Sequence, residues 1–444
     1  MPSASSASSA SSAVSDSGRA VPSSLWRDVE FRRLWMGQTA SQLGEHAGLV
    51  VLPLFAVLTL GASAGQLGVL RAVGQTPILL LALFVGAWVD RRRTRTVMVL
   101  TDVGRTLALG SAALAGLLGW LGLPALFVIA FAVGVLSVCF DVAYQASLVR
   151  LVRRDQLVRG NSGLEGSRSA AQIGGPALGG ALVSFLSAPI AAAASAFFFA
   201  LSFLSIRRIR RRESIPEHPE GPPRIGRRIH EGLRFVVGDA SLRTVCLASA
   251  AFQFSFAALM TVYLLFLPRE LHLSGAVVGL SLAATGPGAL LGSLLAARLP
   301  GRFGHGAVLV SAAVLGDSAF LCVPALHGSS AVTVAVLLAV GFTFGAGGQL
   351  VNVTIMAVRQ AVTPDGMQAR AAATITFVGM GLTPLGSLLG GFLAEEWGLR
   401  ASLLATAAGM MLSPVLMAVS PLARLGRELP EPAGSVAECL PPAQ

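Results

Sequence analysis

The chain has 444 residues, 54% of them hydrophobic and only 12% charged, with a mean hydropathy of +0.71 and a formal charge of +11. A soluble domain carries roughly 25% charged residues, so this composition excludes one. All 33 basic residues are arginine, which excludes a self-contained P-loop ATPase, because that loop needs a lysine to reach its phosphates.

In chain order, residues 1–33 read as a disordered cytoplasmic tail. The first 24 are Ser/Ala-rich and have neither a basic n-region nor an apolar h-region, so they do not form a signal peptide. Twelve apolar runs follow, at 34–60, 64–89, 96–118, 124–148, 162–186, 188–206, 242–267, 276–299, 305–326, 331–357, 371–393 and 400–421. Each approaches or exceeds the ~20 residues that cross a hydrocarbon core as a helix. Period-2 alternation is missing, so the expectation is an all-α membrane protein rather than a barrel.

The longest polar break, with "RRIRRRESIPEHPEGPPRIGRRIHEGLRF", separates spans six and seven. It divides the chain into a six-helix bundle at 34–206, a basic cytoplasmic linker at 207–241 and a second bundle at 242–421, followed by a cytoplasmic tail at 422–444. The halves echo each other. "IGGPALGG" in span five resembles "GLTPLGSLLGG" in span eleven, with Pro176 and Pro384 208 residues apart; Asp155 and Asp365, just before those spans, are 210 apart. Such duplicated halves are a transporter architecture with the binding site near the membrane midplane.

With both termini inside, 28 of the 33 arginines fall in cytoplasmic segments, two outside (Arg269, Arg400) and three within spans (Arg71, Arg105, Arg168). The positive-inside rule therefore predicts an even number of spans and cytoplasmic termini. The same rule accounts for the basic charge without a nucleic-acid partner. Lysine-free, Ala/Gly/Arg-rich usage is that of a high-GC bacterial genome, which places the chain in a bacterial cell membrane. Cys139, Cys246, Cys322 and Cys439 have no C-x-x-C spacing, so neither a metal site nor a disulfide framework is expected. No cofactor is expected either.

The stretch "GAWVDRRRTRTVMV" between spans two and three carries Gly86, Asp90, Arg91 and Arg95. It resembles the G-x-x-x-D-R-x-G-[RK]-[RK] loop of the major facilitator superfamily, with Arg93 at the usual glycine and Thr94 at a usual basic position. The resemblance implies that these four residues latch the halves together on the cytoplasmic side in the outward-facing state. Arg92 and Arg93 need no role beyond topology. In the second half Ala296 replaces the aspartate, so that copy is degenerate. Span five carries Gly175, Pro176, Gly179 and Gly180, matching the G-x-x-x-G-P-x-x-G-G motif of drug and proton antiporters except for Ala171 at its first glycine. An exporter motif and a purely structural small-residue packing motif both fit these residues. "FRRLWMGQTASQLGE", "EGLRFVVGDASLR" and "PDGMQARAAATITFVGMGLTPLGSLLGGFLAEEWGLR" resemble the branch of enterobactin exporters and macrolide efflux pumps, of the transmembrane secretion effector type, over residues 27–422.

Ionisable groups within spans are functional candidates because their burial is costly. Glu45 in span one is the first candidate for proton exchange; a carboxylate fixed by hydrogen bonds at a helix interface is the alternative. Asp141 in span four, and Glu165 with Arg168 one turn apart in span five, are the others. Asp102 and Arg105 read as a structural pair. Asp317 in span nine has no in-helix partner, and by resemblance that span lies peripherally. The resemblance makes spans one, four, seven and ten line the cavity, with His46, Tyr144, Gln253, Tyr263, Gln349 and Asn352 as lining candidates. Aromatics with few polar groups suit a bulky amphipathic molecule better than a sugar. Phe252, Phe254 and Phe256 cannot share one helix face. The expected activity is a non-enzymatic, monomeric secondary transporter exporting a drug, siderophore or other secondary metabolite by proton antiport. An importer or facilitator of the same fold is the alternative, and a membrane sensor a lesser one.

Overall fold

The computed structural model describes residues 25–90, 92–151, 156–209, 225–364 and 367–427. Most of the Ser/Ala tail, Arg91, Asp155, Asp365 and Cys439 lie outside the described residues. Among those described the protein is helical, with no strand. The first bundle comprises α1 (Val29–Leu54), α2 (Ala64–Asp90), α3 (Thr94–Leu117), α4 (Leu123–Leu151), α5 (Leu157–Phe185) and α6 (Ala188–Arg207). A further helix, α7 (Ile225–Gly238), lies in the linker.

The second bundle begins with α8 (Ala240–Arg269) as span seven; α9 (Gly275–Ala283) and α10 (Thr285–Ala296) together form span eight. After the short α11 (Leu299–Phe303), α12 (His305–Ser318) and a 3₁₀ turn make span nine, and α13 (Ala331–Val362) is span ten. Span eleven is α14 (Gln368–Gly381) with α15 (Thr383–Glu396); span twelve is α16 (Gly398–Met410) with α17 (Leu412–Ala418). Ten of these twelve spans are individually long and apolar enough to cross a bilayer, and α2 and α5, of 27 and 29 residues, complete them. An even number of crossings puts Leu25 and Arg427 on one face, here the terminal face; the other is the distal face.

Helix ends follow local chemistry. Asp28 caps α1 by accepting the Glu30 N–H at 2.8 Å, so the helix starts ahead of its apolar run. Asp239 and Ser330 cap α8 and α13 in the same way. Span one ends in a π-helical turn, Phe55–Thr59, which begins two residues after Pro53. Span eleven breaks at Leu382 because Pro384 suits the first turn of a new helix, whereas α5 runs unbroken through Pro176.

Apolar packing differs sharply between the faces. At the distal face one continuous core joins both bundles, with Leu54, Phe55 and Leu67 of the first packed with Leu265, Phe266 and Leu271 of the second. At the terminal face there are two separate cores. Phe31, Leu34, Val89, Met98, Phe140 and Ile206 belong to the first bundle; in the other core Val236 of α7 packs with Leu242, Leu309 and Val358 of the second bundle and with Leu422 just after it. Among the described residues, the bundles are therefore sealed distally, while their terminal-side cores stay separate.

Glycines set how closely they approach. A Cβ on Gly175 or Gly179 would strike His46 or the Ala47 carbonyl of α1, and one on Gly180 would strike Gly275 and Gly279 of α9. In the second half Gly386 and Gly390 press on Phe254 and Ala258 of α8, and Gly391 on Ala64 and Gly68 of α2. Each of the five pairs Gly175/Gly386, Gly179/Gly390, Gly180/Gly391, Ala64/Gly275 and Gly68/Gly279 is separated by 211 residues. This is the register of the internal repeat. Pro176 and Pro384, 208 apart, are not equivalent positions.

Candidate functional site

The distal seal is polar as well as apolar. At the end of α15, Glu395 Oε1 accepts the backbone N–H of Gly65 at 2.9 Å and the Ser63 hydroxyl at 2.5 Å. Arg269 donates to the Ala62 carbonyl at 2.5 Å, and Ala276 N–H donates to Ser184 Oγ at 2.6 Å. Deeper, Ser387 donates to Gln75 at 3.1 Å. Every one of these bonds joins one bundle to the other.

On the terminal side, the first half of α5 turns outward a row of polar residues: Asn161, Glu165, Arg168, Ser169 and Gln172 are exposed. Glu165 and Arg168 pair at 3.7 Å with 60% and 51% of their side chains exposed. A polar helix face at this depth is tolerated only where it lines a water-filled cleft. This row fits a cleft open on the terminal face, between bundles sealed at the other end.

Beside it, within the first bundle, lies a charge cluster built around Arg105, whose side chain is fully buried. Its guanidinium pairs with Asp102 one turn earlier and donates to Ser41 at 2.9 Å and to Ser137 at 3.4 Å. Phe140 and Phe199 sandwich it, each ring centroid 4.3 Å from the guanidinium carbon. Such desolvated cation–π contacts contribute about 2 kcal/mol, which offsets part of the cost of burying the charge. Asp102 is fully buried and also accepts the Ser202 hydroxyl at 2.5 Å.

Glu45 approaches the same guanidinium at 3.7 Å, too long for a hydrogen bond, and its side chain is 25% exposed. Its Oε2 and the Arg105 Nε are buried without a hydrogen-bond partner. Arg105 therefore serves a tightly held carboxylate, Asp102, and a loosely held one, Glu45. Asp141 of α4 lies in the field of Glu45, Arg105 and Arg168, so the structure brings together Glu45, Asp141 and Arg168 from three helices. Tyr144 shares the field of Glu165, Arg168 and Asp141, and His46 packs its Cβ on Gly175.

In the second bundle, Gln253 and Asn352 line a cavity of about 320 Å³ with Phe252, Asp317 and Arg359. Gln349 faces the adjoining side of α13, against Gly292 of α10. Tyr263 corrects the expectation for span seven. It is 2% exposed and donates to Ser281 within the distal core, because the last third of the 30-residue α8 passes through the seal rather than the cavity. Phe252 and Phe256 stack at 5.5 Å, while the carbonyl of Phe254 faces Gly386.

Of the sequence motif after span two, Gly86 and Asp90 belong to the C-terminal part of α2, and Arg91 lies outside the described residues. Arg95 donates to the Arg207 carbonyl at the C-terminus of α6 at 2.5 Å, a contact inside the first bundle.

The transmembrane secretion effector family matches residues 21–436. The chain belongs to this family of the major facilitator superfamily. The multidrug efflux pump Tap of Mycobacterium tuberculosis is 29% identical over 388 residues, covering 82% of this chain and 87% of the pump. Tap of Mycolicibacterium fortuitum is 25% identical over 406 residues, covering 85% and 97%. Among solved structures, a bacterial homologue of the lysosomal transporter Spinster in an inward-facing, occupied conformation matches with TM-score 0.70 and 15% identity over 95% of this chain and 100% of that one. A bacterial homologue of ferroportin in an inward-facing state matches with TM-score 0.68 and 19% identity, covering 89% and 98%. These last likenesses show the fold.

The feature of the site that the sequence under-reads is the Arg105 cluster. An aspartate and an arginine three residues apart read as a local pair, and nothing near them indicates Ser41, Ser202, Phe140 or Phe199. Glu395 carries no motif at all. For Glu395 the signal is the repeat offset of 211 residues, which pairs it with Ser184; the partners of Arg105 leave none.

Proposed function

We propose that this protein exports amphipathic small molecules, drugs or secondary metabolites, from the bacterial cytoplasm by alternating access coupled to proton entry. The arginine distribution assigns the terminal face to the cytoplasm, and the conformation described is then inward-facing. The observation that carries the reading is the Arg105 cluster: a guanidinium shared by a fixed carboxylate and a loose one, beside the open cleft. Protonated Glu45 leaves Arg105 to Asp102 without stranding a charge; ionised Glu45 draws on the same guanidinium. Glu45 thus exchanges a proton at little structural cost, with Asp141 as the neighbouring carboxylate and the Glu165–Arg168 pair shaping the field at the cleft.

Gly175, Gly179 and Gly180 let α5 roll on α1 and α9 as the seal opens, and Pro176 leaves one carbonyl of α5 without its helical donor. Gly86, Asp90, Arg91 and Arg95 form the latch of the opposite state, engaging when the cytoplasmic side closes. Gln253 and Asn352 contribute polar contacts to substrate, and His46, Tyr144 and Gln349 line its path. The protein acts as a monomer. In everted membrane vesicles, an inward-acid pH gradient should drive uptake of a fluorescent amphipathic substrate by wild type and not by Glu45→Gln present at equal level. Uptake that needs no gradient would support a facilitator instead.

A further inference from the structure

Asp317 has a setting unlike that of every other acidic group described. It is 5% exposed, and among the described residues no hydrogen bond or ion pair reaches its carboxylate. Its side chain lines the 320 Å³ cavity formed by α8, α12, α13, α14 and α17 inside the second bundle. Twelve residues from the start of α12, it stands about 18 Å from the terminal face at 1.5 Å per residue, near the membrane midplane. Arg359, the one basic residue among the cavity's described lining, is three residues from the end of α13 and so stands at the mouth. The two form no salt bridge.

An ionised carboxylate buried without a partner is unfavourable by several kcal/mol, so Asp317 either holds a proton or is compensated by a positive charge drawn into the cavity. The walls specify what kind. Phe252 presents an aromatic surface, and it begins a continuous run of rings through Phe256, Phe344, Phe320 and Tyr263, with successive centroids 5.2 to 5.7 Å apart. Met380 and Ile375 supply apolar area, and Gln253 and Asn352 supply amides. Aromatic faces with one carboxylate recognise an organic cation.

We infer that the Asp317 cavity is the subsite for the cationic centre of the substrate, a protonated amine or quaternary nitrogen on an apolar aromatic frame. This deepens the exporter reading and rests on it. Proton exchange and substrate charge are then handled in different bundles, at Glu45 and at Asp317, whose relative movement is what alternating access provides.

The test is binding, which needs no transport. Full-length protein in lipid nanodiscs is titrated with ethidium, a lipophilic aromatic cation, and with Nile red, a neutral dye. Asp317→Asn should weaken ethidium about tenfold or more, as expected for loss of a buried counter-charge, with Nile red within about twofold, and Asp317→Glu should keep most of the ethidium affinity. Absence of ethidium binding by wild type, or an equal effect of Asp317→Asn on both dyes, overturns the inference. A measurement on the unmodified chain guards against a misfolded variant: ethidium, and not Nile red, should slow carbodiimide labelling at Asp317, and labelling indifferent to ethidium contradicts the site. Failure of pH-driven uptake with ethidium binding intact would instead count against proton coupling alone.

Discussion

The Glu395 carboxylate accepts the backbone N–H of Gly65 at 2.9 Å, so the second bundle caps the first turn of α2 in the first. Its counterpart 211 residues earlier is Ser184, whose hydroxyl accepts Ala276 N–H in the first turn of α9. Each bundle thus caps a helix of the other. Capping satisfies amide groups that a helix start otherwise leaves to water, and here the caps form only while the distal face is closed.

Glu395→Ala should therefore favour opening at that face. Loss of an N-cap costs about 1 kcal/mol, or roughly a fivefold change in population. Spin labels at Leu118 and His327, on exposed distal loops of the two bundles, should show a larger long-distance fraction in Glu395→Ala. An unchanged distribution would mean that the caps are incidental to the seal.

Gly180→Val and Gly391→Val test the apolar part of the same seal. A Cβ at Gly180 lies 2.1 Å from the Gly275 carbonyl, and one at Gly391 lies 2.8 Å from the Ala64 carbonyl. Overpacking costs about 1–3 kcal/mol, which is charged to the sealed state alone. Both valine variants should reach the membrane, shift the same spin-label distances outward and transport poorly, with Gly180→Val the stronger.

Arg105→Met should destabilise the fold by about 3–5 kcal/mol, because it leaves Asp102 buried and uncompensated. Adding Asp102→Asn removes the stranded charge, so the double variant should unfold in detergent at a higher temperature than Arg105→Met alone. Equal melting of the two would show that Asp102 is not held by Arg105.

Asp90→Asn should slow transport several-fold by weakening the latch that closes the cytoplasmic side, a contact worth one or two charge-assisted hydrogen bonds. Equilibrium binding to the inward-facing state should be unchanged. Weakened binding would place Asp90 at the substrate path instead.

Much of this architecture is legible in the chain because lipid imposes strong rules. Apolar runs long enough to span, and a basic break after span six, are enough to give twelve helices in two halves. Helix starts are less legible, since Asp28 extends α1 ahead of its apolar run. The repeat is visible, but its register is not: the prolines suggest an offset of 208 and the aspartates 210, whereas packing fixes 211 through glycines that carry no side chain to compare. Glu45 is legible as a costly charge in a span. The hub that serves it is not, because Arg105 gathers Ser41, Phe140 and Phe199 from three other helices. The place of Tyr263 is illegible for a related reason: span membership does not say how deep along the helix a side chain lies.

Coupling through Glu45 is the central claim, and the direct measurement is proton movement in proteoliposomes. With purified protein and an imposed gradient of an amphipathic substrate, a pH dye in the lumen should report protons moving opposite to the substrate. Glu45→Gln should bind substrate and move no protons. Proton counterflow that persists in Glu45→Gln, or substrate flux in wild type without proton movement, would contradict the account.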